Sequence, residues 1–474
     1  MPEYDAAIVG SGPNGLAAAI TLARDGRSVA VVEGHSIPGG GMRSSELTLP
    51  GFVHDECASV VPLAAASPFF ATLPLARYGL SFVQPEIPLA HPLGDEEAVV
   101  LRRSIAATAA GLAEDGGRWS RLMAPLVEGQ EAILGDLLGP LRIPRRPLIA
   151  ARFGLPALLP ATSFARGYFG GRRARALFAG LAAHSMLPLE RPGSSAVALV
   201  LAMLGHASGW PFVATGASAL ADALVSCLRS HGGRLETGRW IADLEELPSS
   251  RVILLDLTPG PLLRVSGGRF SGPYRKQLGR YRYGPGVCKV DFALQEPIPW
   301  LARDCRRAGT VHLGGSAEEI AEAERTVWRG EHPERPFVIV TQPSLFDPSR
   351  APPGRHAAWA YCHVPHGSGR DVSGIIERQI ERFAPGFRES ILARSVRTAA
   401  ELERYDPNYV GGDINGGVQD LGQMFTRPTL SLTPYATSDP RIFICSSATP
   451  PGGGVHGLCG SRAARFALAA LARA

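Results

Sequence analysis

The chain has 474 residues, 45% of them hydrophobic and 19% charged, with a formal net charge of +5. That length outgrows a single core and predicts two domains, and the composition is that of an ordinary globular protein. Nearly all the basic residues are arginine, and the densest runs, Arg142/Arg145/Arg146 and Arg172/Arg173/Arg175, lack interleaved aromatic side chains, which argues against a nucleic-acid partner.

Residues 4–33 carry the clearest signal: an apolar strand, a turn Gly10-Ser11-Gly12-Pro13-Asn14-Gly15, an Ala/Leu-rich helix, a second strand and a closing acid, Glu33. Gly10 permits the tight turn, Gly12 lets a pyrophosphate approach the backbone, and Gly15 lets helix and strand pack closely. The helix N-terminus, from Pro13 and Asn14, presents unpaired N–H groups and a positive dipole end to phosphate. Glu33 stands where a carboxylate bonds the hydroxyls of an adenosine ribose and disfavours a 2′-phosphate. The whole βαβ context predicts a dinucleotide site; the bland alternative is a phosphate-free βαβ unit.

A glycine-rich turn follows (Pro38 to Arg43), then a strand-like piece at 46–49 and the turn leading to His54-Asp55. Residues 100–208 are Ala/Leu/Arg-rich, helical in period and broken by prolines, among them Pro140 and Pro144, which predicts short helices with one apolar face. They read as a helical lid, or as a lipid-facing edge for a greasy substrate. Residues 218–231 predict an amphipathic helix ended by Gly232-Gly233. Strands are predicted at 235–244, 252–257, 284–296, 337–342, 356–365 and 441–445, and helices at 372–392 and 457–473.

The seven cysteines include no CxxC pair. This argues against a disulfide reductase, zinc or iron–sulfur centre, and no metal is expected. Their odd number suits a reducing compartment. The first strand begins near Tyr4, leaving no room for a signal peptide, and the apolar run 196–204 is far below spanning length. A cytoplasmic protein is expected, with peripheral contact to a membrane as the alternative for its arginine-rich runs. The sequence leaves the oligomeric state open.

These stretches resemble the phytoene desaturase-like flavoproteins of the amine oxidase and carotenoid desaturase superfamily. The motifs are GSGPNG at 10–15 with Glu33, GGGMRS at 39–44, ELTLPGFVHDECAS at 46–59 and GHASGWPF at 205–212. YGPGVCKVDFAL at 283–294, YDPNYVGGDINGG at 405–417 and ATPPGGGVHGLCG at 448–460 complete the set. The resemblance spans essentially the whole chain. It implies an α/β fold: a Rossmann-like FAD-binding domain of glutathione reductase type, assembled from residues 1–75, 213–285 and 435–474. A mixed α+β substrate domain is implied for 76–212 and 286–434.

The implied cofactor is FAD. Glu33 would hold the ribose, and Gly40, Gly41, Met42 and Arg43 would border the pyrophosphate and flavin. A strand around Trp240-Ile241 would touch adenine, and Thr258 would line the same pocket. Gly453, Gly454 and Val455 would approach the pyrophosphate and the ring. One departure stands out: relatives often read GGR where this chain has Gly40-Gly41, with Arg43 two residues later. Only one GxGxxG is present, so a second, NAD(P) site is not expected.

The implied activity is that of an FAD-dependent oxidoreductase, a dehydrogenase or desaturase, passing hydride from a small hydrophobic substrate to the flavin. A C=C isomerase or saturase without net oxidation, or a non-catalytic flavoprotein partner in a biosynthetic complex, are the alternatives. His456, in the second glycine turn, is the candidate acid/base, against a ring that only bonds loop backbone. Asp55 is read as a helix cap for residues 57–60. Met42 and Trp210 read as core or as pocket wall, and the loop holding Tyr405, Asp406, Tyr409 and Asp413 as turn chemistry or as a gate.

Overall fold

The computed structural model describes residues 2–94, 96–139, 144 and 146–473. Pro140, Arg142 and Arg145 lie outside the described residues.

One sheet is wholly parallel. Its strand order is Ile442–Ile444, Ser250–Leu255, Tyr4–Val9, Val29–Val32, Arg234–Glu236. The inner stretches of the strands, Ala6–Val9, Val29–Val32 and Val252–Leu255, are runs of Ala, Val, Ile and Leu, largely buried because helices cover both faces, whereas the edge strand Arg234–Glu236 is exposed at both ends. Val9 pairs with both Val32 and Leu255, so three strands end side by side. The strand nearest the N-terminus feeds the helix Pro13–Arg24, which starts with proline at its first turn. The helix Leu458–Leu471 lies against it. A Cβ at Gly460 would collide with the Asn14 carbonyl oxygen, so glycine sets how closely these two helices approach.

The second sheet has seven strands: Ile391–Arg397, Gly286–Leu294, His356–Val364, Val338–Thr341, Ala308–Leu313, Ile87–Pro92, Ala98–Leu101. Neighbours are antiparallel except for the pair Ala308–Leu313 and Ile87–Pro92. Side chains alternate between faces. Cys288, Val290, Phe292, Val338, Val340, Ala358 and Ala360 pack on the helix Ser373–Glu381 through Ile376 and Ile380. Ile339, Thr341, Trp359 and Tyr361 take the other face. A layer of helices, including Gly116–Glu128, Arg172–Ala183 and Ser194–Ala207, covers the far side around Trp119, Phe169 and Phe178.

The structure departs from the expected elements in four places. The strand expected at 235–244 ends at Glu236: Gly238 turns the chain with φ +74, and its N–H and that of Arg239 bond the His35 and Glu33 carbonyls. Residues 46–49 are not a strand; the local pairing is Ser44–Ser45 with His54–Asp55. Asp55 caps no helix at 57–60. Its Oδ1 accepts from Ala217 N at 2.8 Å, where the helix Ser218–Ser230 begins, and its Oδ2 pairs with buried Arg350 at 2.8 Å. The helix expected over 372–392 stops at Glu381, a few residues before Pro385.

Candidate cofactor cleft and active site

The three strand ends at Val9, Val32 and Leu255 open into a cavity of about 570 Å³. Gly12 and Gly40 face each other at its neck: Gly40 has φ +55, and a Cβ there would sit 3.1 Å from the Gly12 Cα. A Cβ on Gly15 would strike the Gly10 carbonyl oxygen. The turn therefore has the bare backbone that close approach of a pyrophosphate requires. Asn14 Oδ1 is buried there with no hydrogen-bond partner, a polar atom that a ligand would satisfy.

Glu33 lines the cavity with both carboxylate oxygens engaged. Oε2 accepts from Ser11 N at 2.9 Å and Ser11 Oγ at 2.7 Å; Oε1 accepts from His35 N at 2.9 Å and from the Arg43 guanidinium at 3.0 Å. A ribose hydroxyl reaches it by replacing one of these donors, the rotatable Ser11 hydroxyl being the readiest. Arg43 lines the cavity and is held by Ile37 O and the Tyr405 hydroxyl. At the outer end stand Ile241 and Trp240, the latter 58% exposed with its ring against Gly34, forming a flat apolar surface.

Every cofactor residue expected from the sequence except Gly15 lines this one cavity: Gly10, Gly12, Pro13, Asn14, Glu33, Gly40, Gly41, Met42, Arg43, Ile241, Thr258, Gly453, Gly454 and Val455. Gly15 sits directly behind the turn. His456 is placed differently. It is fully buried, its Nδ1 accepts from Leu458 N at 3.1 Å, and its Nε2 lies 3.2 Å from Gly452 O. Burial pushes its pKa down to about 4. It holds the loop from within and does not line the cavity, so the geometry assigns it to the loop and not to acid/base chemistry. His54 and Asp55 are likewise buried off the cavity, whereas Trp210 serves both as core and as cavity wall.

Several cleft residues were not foreseen. Asp256 follows the strand Ser250–Leu255 and accepts from Gly15 N at 2.8 Å, with its Oδ2 2.8 Å from where a Gly12 Cβ would stand. Burial, reinforced by Asp406 and Glu33, lifts it to about 7. Its position was readable: an acid at the carboxyl end of a parallel strand lies at the ligand crevice. Asn408 ties the 406–409 loop to this turn, accepting from Thr258 N at 2.8 Å and donating to Asp256 O at 3.1 Å. Asp413 supports turns only, accepting from the N–H groups of Gly284, Asn415 and Gly417.

Gly41, where relatives often carry arginine, faces the Tyr409 hydroxyl; a Cβ there would collide with that oxygen and sit 3.6 Å from Cys57 Cβ. Tyr409 thus fills the space a side chain at 41 would need. Burial raises the Cys57 thiol, so it stays protonated near neutrality and is a poor nucleophile.

Beyond the second glycine turn the cavity widens into a chamber walled by Leu63, Leu201, Trp210, Ile339, Trp359, Tyr361 and Ile414. His184 joins this wall, its Nε2 2.9 Å from His312 Nε2. Burial lowers His184 to about 3, so it is neutral in the physiological range. Among the described lining residues the only carboxylates are Glu33, Asp256 and Asp406, all at the nucleotide end.

Residues 8–73 match the model of the NAD(P)-binding Rossmann-like domain. Over 98% of its length the chain is 27% identical to pyridine nucleotide-disulfide oxidoreductase domain-containing protein 2 of Rattus norvegicus, covering 93% of that protein. It is 25% identical to phytoene dehydrogenase of Streptomyces griseus over 87% of this chain and 81% of that one. A solved oxidoreductase from Methanosarcina mazei superposes with a TM-score of 0.65 at 15% identity, over 96% of this chain and 98% of its own. A putrescine oxidase superposes at 0.62 and 16%, over 99% of both chains. The chain has the fold of these solved oxidoreductases, a parallel Rossmann-like core with an additional mixed sheet. The cleft residues fit FAD: bare backbone and a helix N-terminus could take the pyrophosphate, Glu33 a ribose hydroxyl, and the Gly453-Gly454-Val455 turn would border the ring at the mouth of the inner chamber.

Proposed function

We propose that the protein is an FAD-dependent oxidoreductase acting on a neutral, apolar organic substrate. The observation that carries this reading is the continuity of a glycine-walled dinucleotide groove with an aromatic and aliphatic chamber that contains no carboxylate. FAD, when bound, supplies hydride acceptance at its N5. The residues of the chain do the rest. Gly12, Gly40 and the first helix would seat the pyrophosphate, and Glu33 and Arg43 the ribose end. Trp210, Trp359 and Tyr361 offer about the area of three aromatic rings to an apolar substrate and keep water from it.

A cationic amine entering the chamber would meet no counter-ion, and burying an unpaired charge is costly. The reading therefore favours a hydrocarbon-like substrate over a diamine. Hydride abstraction from such a substrate needs orientation more than a strong base, which suits a chamber whose histidine is neutral.

The test has two steps. Released flavin is sought in the visible spectrum after denaturation, with FAD added during purification. Small molecules that co-purify are identified by mass spectrometry and returned anaerobically to the oxidised protein. An apolar compound that bleaches the flavin absorbance supports the proposal. Turnover without lasting bleaching indicates isomerisation; bleaching by primary amines alone overturns the substrate class; absence of flavin overturns the cofactor.

A further inference from the structure

The face of the seven-stranded sheet that walls the inner chamber carries a polar row across three neighbouring strands. Thr310 pairs with Thr341, and Thr341 with Trp359, so the three side chains stand abreast on one face. All three line the cavity. They are 2%, 2% and 5% exposed. Thr310 Oγ1, Thr341 Oγ1 and Trp359 Nε1 have no hydrogen-bond partner among the described residues. Buried polar atoms are nearly always bonded, and leaving one unpaired is costly. Three side by side in a cavity wall call for a partner that the chain does not supply.

The row is continued by histidine. His312 lies two residues after Thr310 on the same strand and bonds His184 Nε2. Burial holds both imidazoles neutral near pH 7.

The chemistry of these groups defines the missing partner. An indole N–H can only donate, and a threonine hydroxyl donates or accepts. The group that suits all three is an oxygen with free lone pairs. Charge narrows the choice. Lys289 lies 5.6 Å from the centre of the Trp359 ring, but its ammonium is bonded to both carboxylate oxygens of Asp291. An anion in the row would find that cation already paired, and an ammonium would find that carboxylate already taken, so either charge would be buried at a cost.

We propose that Thr310, Thr341 and Trp359 form a subsite for one uncharged oxygen, a hydroxyl or a carbonyl, on an otherwise apolar substrate. The subsite rests on the function proposed above and narrows it: the body of the substrate fills the aromatic and aliphatic walls, and the oxygen anchors it on the sheet. Anchoring at one point fixes which carbon is presented to the coenzyme.

The test uses the flavin-loaded full chain and equilibrium dialysis with three probes of similar size: cyclohexanone, methylcyclohexane and cyclohexanecarboxylate. Thr310→Val and Thr341→Val keep the shape of the side chain and remove its hydroxyl. Each is expected to weaken cyclohexanone at least about fivefold and to leave methylcyclohexane within about twofold, with Thr341→Ser restoring cyclohexanone. Melting temperature and the flavin-to-protein absorbance ratio should hold in all three variants. Wild type that takes methylcyclohexane but not cyclohexanone, or valine variants that bind both as wild type does, overturns the subsite and leaves the apolar-substrate reading standing. A lower melting temperature in the valine variants, which would make the hydroxyls structural, overturns it too. So does a loss of flavin, which would give the row to the cofactor, or tighter binding of the carboxylate with the same dependence on the hydroxyls. A wild-type chamber that takes none of the three probes overturns the subsite together with the function above.

Discussion

Asp256 makes the sharpest prediction. Its carboxyl sits behind the phosphate turn, bonded to Gly15 N and raised to about 7 by burial and by two neighbouring carboxylates. A pyrophosphate seated over Gly12 adds negative charge, so the dinucleotide binds the protonated form. Above pH 7 the protein must take up a proton to bind. At about pH 8.5 that requirement weakens affinity about 30-fold relative to about pH 6, about 2 kcal/mol. Asp256→Asn keeps an acceptor for Gly15 and removes the titration. The assay is a fluorescence titration of apoprotein with FAD across this pH range. Wild type should show the full loss and Asp256→Asn less than about a threefold change. A flat wild-type profile, or the same slope in the variant, refutes the reasoning.

The same carboxyl contributes to the pH response of the apoprotein. An acid whose folded pKa is raised keeps its proton when the unfolded chain has already lost it, so its contribution favours folding below about pH 4 and is lost as pH rises to about 7, at most ~4 kcal/mol. Buried histidines such as His456 and His184 act in the opposite sense in both proteins, so the difference is what reports Asp256: across that window the melting temperature of wild type should fall relative to that of Asp256→Asn. Gly41→Ala is expected to reduce bound flavin, because its methyl meets the Tyr409 hydroxyl, and Tyr409→Phe in the same chain should restore most of it; flavin-to-protein absorbance ratios check both. Asp55→Ala strands the buried Arg350 guanidinium and removes the acceptor at the start of helix Ser218–Ser230, a loss of about 3–5 kcal/mol readable by denaturant unfolding, with Asp55→Asn in between. His456→Asn, which keeps an acceptor for Leu458 N, should photoreduce its flavin at the wild-type rate, whereas His456→Ala should lower the melting temperature; slowed photoreduction in His456→Asn would return that ring to the chemistry.

The phosphate end was legible because it is local: residues 4–33 encode strand, turn, helix and acid within one βαβ unit, and the physics of each glycine can be argued from the sequence alone. The inner chamber was not, because its wall is assembled from Leu63, His184, Leu201, Ile339, Trp359 and Ile414, which only the pairing of distant strands and helices brings together. Asp256 was within reach of the same strand-end rule that identified the glycine turn. His456 shows the converse. Its neighbours in sequence point to the cofactor, yet its ring is turned into the loop because Leu458 N and Gly452 O offer bonds there. The strand expected through Trp240 failed for a local reason, the positive φ at Gly238, and the Trp240 ring came to the cleft edge without it.

The interlock of Gly460 with Asn14 bears on how the molecule is made. The parallel sheet lacks its edge strand Ile442–Ile444, and the first helix lacks its partner Leu458–Leu471, until the ribosome has translated nearly all of the chain. During synthesis the seven-stranded sheet can assemble first, while the early βαβ unit waits with an open flank. Coenzyme loading thus belongs to the end of biogenesis, and a nascent chain stalled before residue 440 should retain no yellow colour.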